Sequence, residues 1–270
     1  MVHDKHNIIQ QMLELRGSSQ GSVPNPRAIP LFVDSLLEVL FPHFSDREPA
    51  TLSYVTELMH TSAQRLHDLC VPVIVSDDAR AALQGAFIDQ LPSFCTTLCE
   101  DAEAIYQGDP AAANVDEVIV AYPGFLAIAV YRVANWLFRQ NIPIVPRMMT
   151  EYAHRLTGID IHPGAAIGRA FVIDHGTGIV IGQTTIIHDN VKIYQGVTLG
   201  ALSVDKSSAD KKRHPTIESN VVIYANATIL GGDTTIGSGS IIGGNVWLVT
   251  SVAPNSRVYH RSEHTVRSSD

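Results

Sequence analysis

The chain has 270 residues, 45% of them hydrophobic, with 27 acidic against 19 basic side chains and a formal net charge of -8 at pH 7. That length suits one large or two ordinary domains with a sizeable core. The acidic balance excludes the excess of Lys and Arg on which nucleic-acid and anionic-membrane interfaces are built.

The N-terminus, Met1-Val2-His3-Asp4-Lys5-His6-Asn7, is polar and mixed in charge, without the apolar stretch of a secretory signal. The apolar run from Val118 to Phe138 is interrupted by Pro123, Gly124, Arg132 and Asn135, so it reads as buried helix and not as a membrane span. A cytoplasmic protein is the simplest expectation. Three cysteines, Cys70, Cys95 and Cys99, make no even disulfide framework, and Cys95 and Cys99, four apart in a helix-like segment, read as core thiols before a redox pair.

Over residues 1–23 the spacing of Ile8, Ile9, Met12, Leu13 and Leu15 predicts a short helix, followed by the linker Gly17-Ser18-Ser19-Gln20-Gly21-Ser22, expected to be mobile. From Pro26 to about Leu156 the apolar period is helical, as in Leu36, Leu37 and Leu40 or Val55, Leu58, Met59 and Leu66. Pro42, Pro49, Pro72, Pro110 and Pro123 divide this stretch into about six helices. Residues 1–157 are therefore expected to form a helical domain for packing or oligomerisation. The junction Gly108-Asp109-Pro110-Ala111-Ala112 falls between two of these helices; an Asp before Pro is ordinarily a turn or cap residue.

After Thr157-Gly158 helix formers give way to Ile, Val, Gly, Thr, Asn and Asp. Aliphatic residues then fall every sixth position at Ile161, Ile167 and Ile173, again at Ile181, Ile187, Ile193 and Leu199, and later at Ile217, Ile223, Ile229, Ile236, Ile242 and Leu248. A six-residue period predicts a parallel β-helix, one short strand and one turn per repeat, with roughly 18 residues to a coil. Small residues such as Gly168, Gly182, Gly237 and Gly243 are expected at the tight corners. The domain is assigned to residues 158–253, with residues 200–216, too polar to line a core, extruded as a loop and residues 254–270 as a polar tail. In the loop, Lys211-Lys212-Arg213-His214 reads on composition as a solvated patch.

One interval breaks the period. Between Ile173 and Ile181 the spacing is eight, and the extra length holds Asp174-His175-Gly176-Thr177-Gly178. Asp160 precedes His175 by close to one expected coil, so stacking can bring a carboxylate beside the imidazole, the arrangement of a general base. A structural histidine satisfied in a turn is the plainer alternative, against which the broken repeat weighs. His162 and His188 flank His175 at equal spacing and leave a metal site open.

The strings Asp160-Ile161-His162-Pro163, Asp174-His175-Gly176-Thr177-Gly178, Gln195-Gly196-Val197-Thr198-Leu199-Gly200 and Arg213-His214-Pro215 resemble those of serine O-acetyltransferases in the hexapeptide-repeat acyltransferase superfamily. The resemblance extends forward through Gly108-Asp109-Pro110-Ala111, Gly124-Phe125 and Tyr131-Arg132 and covers roughly residues 105–255. It implies an α+β chain, an N-terminal all-α domain followed by a left-handed parallel β-helix of hexapeptide repeats. It implies His175 as the base that takes the serine hydroxyl proton, Asp160 as its orienting partner, and Asp109, Asp174, Arg213 and His214 as holders of the amino acid. Acetyl-CoA would be the co-substrate, with no metal; Gly200, Ala201, Ala225, Lys211 and Lys212 match or neighbour positions on its path. Further implications are trimers with sites between subunits, trimers paired into a hexamer, and feedback inhibition by L-cysteine.

Two departures stand out. Ala201 replaces a glycine of many relatives and the loop before His214 is long, which puts the CoA contacts there in doubt; and the chain ends Arg267-Ser268-Ser269-Asp270, whereas relatives that dock into cysteine synthase end in Ile, so a stable complex with that partner is not expected. The competing readings are a hexapeptide acetyltransferase for another hydroxyl, on a sugar, an antibiotic or homoserine; a three-histidine zinc carbonic anhydrase on the same β-helix; and a catalytically silent scaffold.

Overall fold

A computed structural model describes residues 5–17, 23–45, 51–202 and 211–261. Most of the expected linker, the middle of the extruded loop and the tail from Arg267 to Asp270 lie outside the described residues. The first part of the chain is helical: α1 (Lys5–Gly17), α2 (Ala28–Leu40), α3 (Leu52–Cys70), α4 (Asp77–Gly108), α5 (Val115–Ala121), α6 (Pro123–Arg139) and α7 (Val145–Thr157), with a short 3-10 turn at Pro42–Phe44. Six helices, α2 to α7, follow Pro26 among the described residues, the number expected, although the break between α6 and α7 falls at residues 140–144, which none of the five prolines marks. Their ends follow local chemistry. The Ser76 side chain accepts from Ala79 N ahead of α4, with Asp77 and Asp78 in its first turn, and α7 stops at Gly158 in the left-handed conformation. No single helix is long and apolar enough to cross a membrane among the described residues.

Among the described residues from Asp160 onward, fourteen short parallel strands, β1 (Asp160–Ile161), β2 (Ala166–Ile167), β3 (Val172–Asp174), β4 (Val180–Ile181), β5 (Ile186–Ile187), β6 (Lys192–Tyr194), β7 (Thr198–Gly200), β8 (Thr216–Ile217), β9 (Val222–Ile223), β10 (Thr228–Leu230), β11 (Thr235–Ile236), β12 (Ile241–Ile242), β13 (Trp247–Leu248) and β14 (Arg257–Val258), form three sheets. Each sheet is one wall of a prism. The repeat aliphatics stack in register, Ile161 on Ile181, Leu199, Ile229 and Leu248 in one wall. Ile167, Ile187, Ile217 and Ile236 stack in the second. Ile173, Ile193, Ile223, Ile242 and Val258 complete the third. From Ile181 to Ile242 these side chains are almost wholly removed from solvent, and each such burial stabilises the fold by about 1.5–3 kcal/mol. Coil length is less regular than the sequence period suggested. The eight-residue interval lengthens the first coil, so Asp160 pairs with Val180 and not with His175.

The first coil has no coil beneath it, and its carbonyls would be an open sheet edge. Helix α6 covers them. Tyr131 Oη donates to Ala165 O at 2.6 Å, Asn135 Nδ2 to Pro163 O and Ala165 O, and Arg132 to Ile167 O at 2.7 Å and Gly168 O at 2.6 Å. Arg132 is held by a bidentate pair to Asp101 of α4, both contacts 2.9 Å, and Asp101 also accepts from Phe171 N at 3.0 Å. Asp101 is wholly buried. Removing one partner of such a pair strands the other charge, so Asp101→Ala is expected to cost about 3–5 kcal/mol in urea denaturation. A loss below about 1 kcal/mol would show that the helix-to-coil junction is held by other contacts.

Candidate active site

The eight-residue interval forms a corner between β3 and β4. His175 sits there with φ 59° and Gly176 with φ 94°. Left-handed backbone at a histidine is uncommon and marks a position fixed by its surroundings. Glycine follows it because a Cβ at 176 would lie 2.5 Å from Ile159 Cδ1. The corner thereby turns the His175 ring outward, and its side chain is 72% exposed.

Two helical segments meet this corner. The end of α4 brings Asp109, and the start of α6 brings Tyr122 and Pro123, pressed so close that a Cβ on Gly124 would stand 2.6 Å from Ile173 O. Together Ile105, Asp109, Tyr122, Asp174 and His175 line a cleft of about 300 Å³. Asp109 accepts from Ala111 N at 2.9 Å and from Tyr122 Oη at 2.8 Å. These bonds, the backbone one foremost, hold its carboxyl below the usual carboxylate range, and the same contact pushes the Tyr122 phenol up to about 12. Asp174 lies 3.7 Å from His175 Nε2 and 2.8 Å from Lys192 Nζ. The cleft thus combines one imidazole with two carboxylates, and the Lys192 ammonium, outside its lining, pairs with one of them.

A second polar group gathers on α7 and the neighbouring coils. Asp160 is 3.4 Å from Arg147, which also pairs with Glu151. Arg213 Nη2 donates to Gln183 Oε1 at 2.7 Å, and His214 Nδ1 accepts from Thr184 N at 3.1 Å. The His214 ring fills the space above Gly182, which any side chain there would occupy. His162 Nδ1 accepts from Gly164 N at 3.0 Å. Burial foremost lowers the pKa of both His162 and His214 to about 4, helped by Arg147 and Arg213 near His162 and by Arg213 and Lys212 near His214.

The structure therefore places Asp109, Asp174 and His175 together and leaves Arg213 and His214 out of the lining of that cleft. Within the chain the expected pairing of Asp160 with His175 does not form. No hydrogen bond joins them among the described residues, because the longer coil carries Asp160 past the histidine and Arg147 takes its carboxylate. Gly200 ends β7 against Leu230, Ala201 is half-buried beside it, and Ala225 O accepts from Asn245 N at 3.0 Å. Lys211 is exposed, while Lys212 turns its ammonium back onto His214 O. His188 is exposed and His162 half-buried. Among the described residues the three ligating side chains close enough to share an ion are Glu151, His154 and Asp160, a set that includes none of the three histidines of the metal alternative. Sequence reading missed Tyr122 and Lys192. Lys192 became findable only from the register, which lays β6 on β3 and Lys192 beside Val172.

A hexapeptide β-helix with a histidine and carboxylates at a coil corner, joined to a helical domain, defines the class as the hexapeptide-repeat acyltransferases. No protein-family profile matches the chain. It is 42% identical over 259 residues to a plasmid-borne serine acetyltransferase of Synechococcus elongatus, covering 87% of this chain and 81% of that one. A Bacillus subtilis serine acetyltransferase is 44% identical over 150 residues, 56% of this chain and 67% of the relative. Among solved structures, serine acetyltransferase isoform 3 of Entamoeba histolytica in complex with cysteine superposes with a TM-score of 0.80 at 34% identity, over 89% of this chain and 84% of that one. The chain belongs to the serine acetyltransferase family.

With both pKa values depressed from about 6.5, the unfolded chain binds more protons than the folded one between about pH 6.5 and pH 4. Stability is accordingly complete above that window and is expected to fall as pH drops through it. In His162→Gln the difference in melting temperature between pH 7 and pH 5 should narrow. An unchanged difference would remove His162 from this linkage.

Proposed function

We propose that the two polar groups are halves of one site for O-acetylation of L-serine by acetyl-CoA, the step that makes O-acetyl-L-serine for cysteine biosynthesis. The observation that carries the reading is the cleft in which His175 faces Asp109 and Asp174. The carboxylates suit the ammonium of an amino acid, and Arg213 suits its carboxylate. Because Arg213, His214 and Asp160 lie outside that cleft, the halves complete each other between neighbouring subunits of a trimer. Asp160 then orients the base across that boundary.

His175 takes the hydroxyl proton as the serine oxygen attacks the thioester carbonyl. A backbone N–H near Gly200 or Ala201 meets the oxyanion of the tetrahedral intermediate. Collapse breaks the C–S bond, and the proton held by His175 passes to the departing sulfur, leaving the acetyl ester and free thiol. CoA follows the outside of the β-helix past Ala225, and Lys211 and Lys212 are near enough in sequence to Arg213 to meet its phosphates. Residues 1–157 pair trimers into a hexamer. Cysteine, bound in the Entamoeba histolytica structures, shares serine's ammonium and carboxylate and would occupy the same subsite as an inhibitor.

A thiol-release assay with acetyl-CoA and L-serine tests the base. His175→Ala should lower turnover by about 10² to 10⁴, the general-base scale, and near-normal turnover would sink the assignment. In the same assay Arg213→Ala should raise the KM for serine far more than that for acetyl-CoA; equal effects would take Arg213 out of the serine subsite. Running serine, O-phosphoserine and homoserine side by side separates this substrate from other hydroxyls.

A further inference from the structure

Lys192 pairs with Asp174 of the cleft lining, and neither the repeat nor the family pattern assigns it a role. It lies on β6, one coil from β3, with its side chain only 17% exposed. Its Nζ is 2.8 Å from Asp174 Oδ2 and donates to Gly108 O at 2.7 Å. The ammonium also stands 4.6 Å from the centre of the Tyr194 ring, which stacks on Tyr224 at 5.0 Å. Burial opposes the charge more than any other single influence, yet the contacts with Asp174 and Tyr194 outweigh it and the pKa is raised, so the side chain is a cation at neutral pH.

These contacts join two elements that have no covalent reason to stay in register. Gly108 is the last residue of α4 and immediately precedes Asp109, whose oxygens are both engaged, one by Ala111 N in the following turn and the other by Tyr122 Oη at the start of α6. Asp174 is the last residue of β3. Engaging Asp174 Oδ2 leaves Oδ1 as the oxygen on the His175 side, at 3.7 Å.

We propose that Lys192 is a positioning residue for the amino-acid substrate: by bridging the end of α4 to the end of β3 it sets the separation of Asp109 and Asp174 and aims one Asp174 oxygen at the substrate ammonium. The inference rests on reading this cleft as the amino-acid half of the site. The opposite role is also chemically definite. An ammonium on Asp174 could compete with the substrate's own, and its removal would then tighten binding.

Steady-state kinetics of the full-length Lys192→Met and Lys192→Arg variants distinguish the two. In Lys192→Met the KM for serine should rise about tenfold or more, the scale of one charge-assisted hydrogen bond, with kcat falling less and the KM for acetyl-CoA within about twofold of wild type. Lys192→Arg should recover most of the loss. A serine KM that is unchanged or lowered in Lys192→Met overturns the proposal, as does a rise in both KM values together. Should Lys192→Met fail to fold, Lys192→Gln, which keeps a donor without the charge, carries the same expectation for the two KM values, and calorimetric titration with serine gives the binding loss directly. Wild-type protein that neither acetylates nor binds serine would bring down the reading of the cleft along with the role of Lys192. Wild-type turnover with an unaffected Lys192→Met variant would bring down the latter alone.

Discussion

The buried ion pair between Asp101 and Arg132 is the contact on which the arrangement of this molecule depends. A parallel β-helix satisfies its backbone groups by stacking each coil on the next, so the first coil is left with unpaired carbonyls on one side. Arg132 supplies donors to two of them, and Asp101 holds the guanidinium in place from α4. Because the same pair belongs to α4 and α6, capping the β-helix also fixes the two helices whose ends form the cleft. Burying two charges is costly unless every donor and acceptor is met, and here the bidentate pair, the coil carbonyls and Phe171 N meet them.

With the helices fixed, the irregular interval acquires its effect. Two extra residues between Ile173 and Ile181 cannot enter the prism without breaking the aliphatic ladder, so they bulge at the corner and carry His175 outward in a left-handed conformation. The ladder continues undisturbed beyond them. The β-helix thus presents the His175 imidazole at the surface, while the acidic groups arrive from both the coil and the helical region. The helices thus help to build the cleft: Asp109 and Tyr122 reach it only because α4 and α6 dock on the first coils.

Much of this was legible before any coordinates. The sixfold period named the stacked aliphatic ladder from Ile161 to Leu248, because interior positions of a stacked coil tolerate little else. The proline breaks gave the helix number, and the broken interval singled out His175. Less legible were distances across coils. A uniform coil length placed Asp160 beside His175, and the real coil, lengthened by the interval itself, placed it beside Val180 and within reach of Arg147. Lys192 looked like any outward strand residue, since outward positions of a β-helix carry no periodic constraint.

The sequence by itself determined the β-helix, its registerable ladder, the helical domain and the residue types of the chemistry, since these follow from local period, turn propensity and side-chain pKa. Only the tertiary structure decided which of those residues share a cleft. That outcome depends on coil length, on how α6 caps the first coil and on one lysine bridging two elements, and none of these is a local property of the chain.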